Sequence, residues 1–255
     1  MRSAGILGAE LRKAASLPAT GVAVLVALLG SALITLLNAL SARSGAEGLT
    51  SPFEVGYAAV PLGTVGAVVL GVVVVSSEYT SNSPDAGGGR QITATLAAVP
   101  SRLRLLLAKA LTVVLAVAAT AAVTIPASVG VARLVIGGAA AETVTPEEML
   151  HRFLGATLYW VLTGLIAFAI TVLTRSGVVP LIVLIVNSSL VSFSLLLTRL
   201  TPLAHWLPDM AGRRLFGGLG TVEGGLDAVP GALVMAAWTL GLLAVAAAVF
   251  SRRDA

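Results

Sequence analysis

The stretch EYTSNSPDAGGGRQITATLAAVPSRLR, residues 78–104, joins a carboxylate, three consecutive glycines (Gly87 to Gly89) and Arg90 in one polar segment. Glycine-rich turns beside a cation are what cradle phosphates, so nucleotide binding is the first chemistry to test. A phosphate loop carries G-x-x-x-x-G-K-[ST] between a strand and a helix. GGGRQIT lacks the second glycine at that spacing and the lysine, and it follows an apolar run. It is not an ATP site, and the chain carries no other nucleotide fingerprint. With no cysteine there is neither a disulfide nor a thiolate metal site, and His151 and His205 are too far apart to suggest a metal pair by spacing. No paired carboxylates, histidine cluster or Ser/His pair falls inside an apolar run, so the expected catalytic set is empty, with no metal and no cofactor in this chain. It reads as no enzyme by itself.

A second group of polar side chains sits inside an apolar run, in NSSLVSFSLLLTR: Asn187, Ser188, Ser189, Ser192 and Ser194. Ser188 and Ser192 fall at i and i+4, with Arg199 on the same face. Polar groups at membrane depth mark transport paths, but serine is also ordinary glue between helices. Asn187 is the stronger path candidate, because its amide is costlier to leave facing lipid.

The elements that must position these residues follow from composition. The chain is 57% hydrophobic and 11% charged, with a mean hydropathy of +0.98; soluble domains hold roughly a quarter charged residues. Crossing about 30 Å of hydrocarbon takes roughly 20 apolar helical residues. Six runs fit, about 17–40, 54–76, 108–136, 153–174, 177–199 and 229–250, none with an acidic residue in its centre. The expected fold is all-α, a polytopic membrane protein with six transmembrane helices in one domain over residues 1–255. The first run is about twice as long as a signal-peptide core of roughly 7–15 residues, and reads as a retained span. No Asp, Glu or Lys is expected at mid-membrane.

The net charge of +4 does not imply nucleic acid, because the cations sit singly or in pairs at the ends of the apolar runs. With the N-terminus cytoplasmic, that side holds Arg2, Arg12, Lys13, Arg90, Arg102, Arg104, Lys109, Arg175, Arg252 and Arg253. The other side holds only Arg43, Arg133, Arg152, Arg199, Arg213 and Arg214. The positive-inside bias therefore puts both termini in the cytoplasm.

Outside the spans, AGILGAELRKAASLP places Ile6, Leu7, Leu11, Ala14 and Ala15 on one helical face, with Glu10, Arg12 and Lys13 around the other. An interfacial N-terminal helix is expected, turning into the first span at Pro18. In the opening stretch, NSPDAGGG reads as a solvated turn, and RQITATLAAV as a short helix ended by Pro100, with Ile92, Leu96 and Val99 on one apolar stripe. That stripe either packs on its own bundle or seats in a groove of a soluble partner. Glu78, at the mouth of the second span, is expected either solvated or braced by a nearby arginine. In the second span, Gly63, Ala67 and Gly71 form a small-residue stripe suited to a tight dimer or bundle contact. Pro61, Pro126 and Pro180 are candidate bends, and Tyr159 and Trp160 read as belt anchors. Residues 201–230 are too interrupted to span and suggest an interfacial or re-entrant lid.

Four places resemble one family. AELRKAAS (9–16) is similar to an E-x-x-K-x-x-S segment before the first span. SEYTS (77–81) followed by TATLAAVPSRLRLLLAKAL (93–111) resembles E-Y-x-x-G-T-I-R-x-T-L-x-x-x-P-x-R-x-x-x-x-x-A-K. WLPDMAGRRLFGG (206–218) is similar to W/Y-L-P-x-x-A-G, and FSRRDA (250–255) to an R-R-D terminus. In that order they resemble the membrane (permease) subunit of a type-2 ABC exporter, in particular the small six-span permeases of high-GC bacteria. About six residues around NSPDAG are extra, and the arginine that the family has after its isoleucine is absent, Ala94 following Thr93.

The resemblance implies a subunit of the bacterial cytoplasmic membrane, a homodimer or a pair with a similar permease chain, coupled to a separate ATPase that binds ATP and Mg. Residues 90–99 would be the cytoplasmic coupling helix, with Ile92, Leu96 and Val99 as knobs and Arg90 in place of the missing arginine. Arg102 and Arg104 would meet lipid phosphates or the ATPase rim, and Glu78 would brace the element. The path would run between the second and fifth spans, past Tyr57, Thr64, Asn187, Ser188 and Ser192. The rival readings are a secondary transporter and a non-transporting scaffold or immunity protein.

Overall fold

The structure is a computed structural model that describes residues 3–44, 51–79, 91–137, 144–187, 193–217 and 224–252. It is all-helical, with no strand among the described residues. An amphipathic helix α1 (Ser3–Ser16) stops at Leu17, whose extended backbone (φ −78°, ψ 125°) turns the chain before Pro18 opens α2 (Pro18–Arg43). Proline suits that first position, since the N–H it lacks would have no partner in the first turn. α3 (Pro52–Tyr57) and α4 (Val60–Ser76) form one broken crossing, continued by a tight turn at Ser77–Tyr79. The break precedes Pro61, which cannot donate to the Tyr57 carbonyl one turn back. Then come α5 (Gln91–Ala98), α6 (Arg102–Ile136), which stays helical through Pro126, and α7 (Pro146–Thr174). The Thr145 hydroxyl caps α7 by accepting the Glu148 N–H at 3.2 Å.

Among the described residues, five helical segments are long and apolar enough to cross a membrane: Pro18–Arg43, Pro52–Tyr79, Arg102–Ile136, Pro146–Thr174 and Ala228–Arg252. Two begin well before their apolar runs, α6 at Arg102 and α7 at Pro146, which sets Lys109 in the third turn of α6 rather than at its start. The run 177–199, expected as one continuous crossing, is instead split into α8 (Val178–Ile185) and α9 (Phe193–Thr198). An unbroken helix would separate residues 187 and 194 by about 10 Å along its axis. Here the Ser194 N–H donates to Asn187 Oδ1 at 3.3 Å, closer than one continuous helix allows; residues 188–192 lie outside the described residues. Short helical turns follow at Pro202–Trp206, at α10 (Pro208–Ala211) and at Gly212–Phe216, before α11 (Ala228–Arg252).

α4 and α7 form the most extensively packed pair. Gly63, Ala67 and Gly71 are used within the chain: a Cβ on Gly63 would lie 2.0 Å from the Trp160 ring, and one on Gly71 2.1 Å from the Gly164 carbonyl oxygen. Trp160 is no belt anchor. It is fully buried, and its indole N–H donates to the Val60 carbonyl at 3.0 Å. Tyr159 is buried too, edge-on to Phe216 at 5.0 Å. Trp160 lies in the α4–α7 seam, while Tyr159 faces Phe216 and Gly212, because α7 extends past the apolar run that placed both rings at its outer end. α2 buries Ala23, Ala27, Ser31, Thr35 and Ala39, one small residue per turn.

The two ends of the bundle are fastened differently. At one end Arg152 of α7 pairs with Glu54 of α3 and, at 2.8 Å, with Glu148, and stacks over Phe53 at 5.2 Å. At the other, Arg102 donates to the Phe250 carbonyl at 3.2 Å, and Arg175 lies over the Tyr79 ring at 5.8 Å. The start of α6 and the ends of α4, α7 and α11 therefore meet at the end that carries α1. α7 ends there, and α11 begins toward the opposite end.

Candidate functional site

α1 is bound to the bundle by charge. Glu10 and Lys13, three residues apart, share one face of α1. Lys109 comes from the third turn of α6, Glu78 from the turn after α4, and Thr95 from α5. Lys109 Nζ lies 2.7 Å from Glu10 Oε2 and 2.6 Å from Glu78 Oε1. Lys13 Nζ reaches the same Glu78 oxygen at 2.5 Å, and the Thr95 hydroxyl donates to the other, Oε2, at 3.0 Å. Glu78 is 1% exposed, Lys109 4% and Glu10 7%. The formal charges balance, two carboxylates against two ammonium groups. These two lysines are the only ones in the chain, so every lysine meets Glu78.

The surroundings make the cluster strong. Ile6 of α1, Ile92 of α5, Val99, Leu105 and Ala108 form an apolar shell, with Leu96, Tyr79 and Phe250 packed against it. A charge kept from water is costly alone and tightly held when paired. The arrangement ties α1, α5, the turn after α4 and the start of α6 to one another.

This geometry changes several expectations. Glu78 is braced by both lysines rather than by an arginine. The buried face of α1 is Ile6, Glu10 and Ala14, while Leu7 and Leu11 are partly exposed and Ala15 exposed, because Glu10 reaches inward to Lys109 and Lys13 to Glu78. The stripe on α5 turns toward its own bundle: Ile92 and Val99 are buried and Leu96 half-buried, since Ile6 and Leu105 offer them an apolar wall. The outward face of α5 is Thr93, Ala94, Ala97 and Ala98. Arg102 is engaged with the last turn of α11, whereas Arg104 is exposed. Arg90, Ser188 and Ser192 lie outside the described residues.

The path candidates separate. Thr64 is fully buried and its hydroxyl returns to the Pro61 carbonyl, so it lines nothing. Tyr57 borders a cavity of about 360 Å³ with Phe53, Pro126, Val129 and Arg133, between α3, α6 and α7. Asn187 borders a different one of about 470 Å³, between α8, α9 and α10. There its amide donates to Asp209 Oδ2 at 2.8 Å, and its oxygen accepts from the Ser194 hydroxyl at 3.3 Å.

Sequence reasoning missed the roles of Glu10, Lys13, Thr95, Lys109 and Asp209. For Lys109 a signal existed, as a lysine at the edge of a long apolar run is costly unless paired. Asp209 gave none, because its partner Asn187 is 22 residues away. No family model matches the chain, and no curated protein matches it either.

Proposed function

We propose that the chain is the membrane-spanning subunit of an ATP-driven exporter of the type-2 ABC class, working as a dimer with two copies of a separate ATPase. The observation that carries this reading is the buried Glu10–Lys109–Glu78–Lys13 cluster. It ties a short helix at the end of the bundle to the long helices, as an element must be tied if a partner's motion is to reach the spans. The residues that carry the family resemblance before the first span, after the second and into the third are those that meet in it.

In this reading the chain crosses six times, with α8 and α9 forming an interrupted fifth crossing. The ends of α7 and α11 at one end of the bundle support that count. The cation bias puts this end and both termini in the cytoplasm. α5 is the coupling helix, docked through Thr93, Ala94 and Ala97, with Ile92 and Val99 anchoring it from behind. ATP and Mg belong to the partner.

One observation favours a second reading. Asp209 stands beside Asn187 within the bundle, and an acidic residue at depth is what a secondary transporter uses to couple ions. The two readings differ in dependence on an ATPase. The test is a mild-detergent pull-down from native membranes, with partners identified by mass spectrometry. A chain bearing G-x-x-x-x-G-K-[ST] is expected with the intact protein and lost with Ala97→Arg. Its absence from the intact pull-down favours the secondary transporter or the scaffold.

A further inference from the structure

The depth of Asp209 follows from α8. A Cβ on Gly177 would lie 3.2 Å from atoms of both Ser76 and Val72, so α8 starts level with the last turn of α4. Asn187 is ten residues further on. At 1.5 Å per residue that is about 15 Å, half of a hydrocarbon layer of roughly 30 Å. Asn187 holds Asp209 at 2.8 Å, so the segment after α9 dips back and sets a carboxylate near half-depth. The sequence reading had left mid-membrane without an acidic residue.

The cavity at this point measures about 470 Å³, within the range of roughly 300–1,000 Å³ typical of small-molecule sites. Its walls are apolar, among them Ile182, Val183, Phe193 and Leu207, and its polar groups converge in Asn187, Ser194 and Asp209. Ile182 is 59% and Phe193 56% exposed, so it opens at the side of the bundle, toward the lipid tails. The Asn187 amide satisfies one carboxylate oxygen but neutralises no charge. None of the ion pairs between described residues includes Asp209. The closest cation in sequence is Arg213, one turn further on, which shares Tyr159 with Asp209 as an electrostatic neighbour.

We infer that this cavity is a binding site for membrane-dissolved organic cations, with Asp209 facing the cationic centre, Asn187 holding the carboxylate in place, and the apolar walls taking the hydrocarbon body. A charge in low dielectric is stabilised most by a matching opposite charge, so the site selects cationic over neutral or anionic amphiphiles of equal size. The inference deepens the exporter reading by naming its substrate class.

The test uses the purified full chain in lipid nanodiscs, with radiolabelled tetraphenylphosphonium as probe. Dodecyltrimethylammonium, dodecyl maltoside and dodecyl sulfate serve as cationic, neutral and anionic competitors. Saturable binding is expected, displaced at least tenfold more effectively by the cation than by the other two. Asp209→Asn is expected to weaken binding at least tenfold, Asp209→Glu to retain most of it, and Ile182→Trp to abolish it by filling the cavity. Should Asp209→Asn not fold, Asp209→Glu and Ile182→Trp decide. Unchanged binding in Asp209→Asn or Ile182→Trp, or equal competition by dodecyl sulfate, overturns the site. No ATPase enters this assay, so the two readings fail separately. Cation binding without an ATPase in the pull-down removes the exporter and keeps the site; an ATPase without cation binding does the reverse.

Discussion

Lys109 holds two carboxylates on one ammonium group inside an apolar shell, and removing it leaves Glu10 and Glu78 buried with only Lys13 between them. Breaking a buried pair in this way costs about 3–5 kcal/mol. Lys109→Met is therefore expected to lower the thermal unfolding midpoint in detergent by far more than Arg12→Met at the exposed position beside the cluster. Trp160→Phe loses the donor to the Val60 carbonyl, about 1 kcal/mol, and leaves a void where the larger buried indole packs on Gly63, so the same melt is expected to fall by more than the hydrogen bond alone. Glu78 was legible in sequence as a charge at the mouth of a span, either solvated or braced by an arginine. Which partner was not, because pairing across 31 residues to Lys109 and 65 to Lys13 is set by how helices pack and not by local spacing. The identity of the cations carried a hint: both lysines are spent here, while arginines mark the ends of the other runs.

At the scale of elements, periodicity told that α5 has an apolar face but not what covers it. A stripe at i, i+4 and i+7 looks the same against a partner's groove or against the chain's own α1 and α6. The two cases predict opposite mutants. Ile92→Asp, on the inner face, is expected to destabilise the isolated chain. Ala97→Arg, on the outer face, is expected to leave its melt unchanged while removing the ATPase. The small residues of α4 were legible as a close-approach stripe, and their partner proves to be α7. Gly71→Ala is expected to lower the midpoint sharply, since its Cβ would sit 2.1 Å from the Gly164 carbonyl oxygen. Gly130→Ala meets nothing within 4 Å and is expected to be neutral or stabilising, because alanine favours helix by about 1 kcal/mol over glycine. The run 177–199 misled for a physical reason. Hydropathy measures whether a segment tolerates lipid, and a broken helix of the same residues tolerates it equally where its freed backbone and side chains find partners; here Asn187, Ser194 and Asp209 supply them.

At the scale of the whole molecule, the apolar runs made the helical membrane architecture plain, and Pro18 marked the start of the first long helix. The joining of the two ends was not legible. One end is a charge cluster with α1 and α5 fastened to the long helices; part-way along the bundle, a folded-back segment sets Asp209 beside Asn187. Between them runs the α4–α7 seam, whose glycines leave no slack, so a displacement at α5 is expected to reach the turns around Leu207. The absence of native cysteine makes this measurable with one introduced thiol. The decisive measurement is the maleimide modification rate of Leu207→Cys in a complex with the proposed ATPase partner, with and without ATP and vanadate. The account predicts a several-fold change in rate on nucleotide trapping, and loss of that change in Glu78→Gln although the ATPase still co-purifies. A rate indifferent to nucleotide in the otherwise intact chain, or a change that survives Glu78→Gln undiminished, would contradict it.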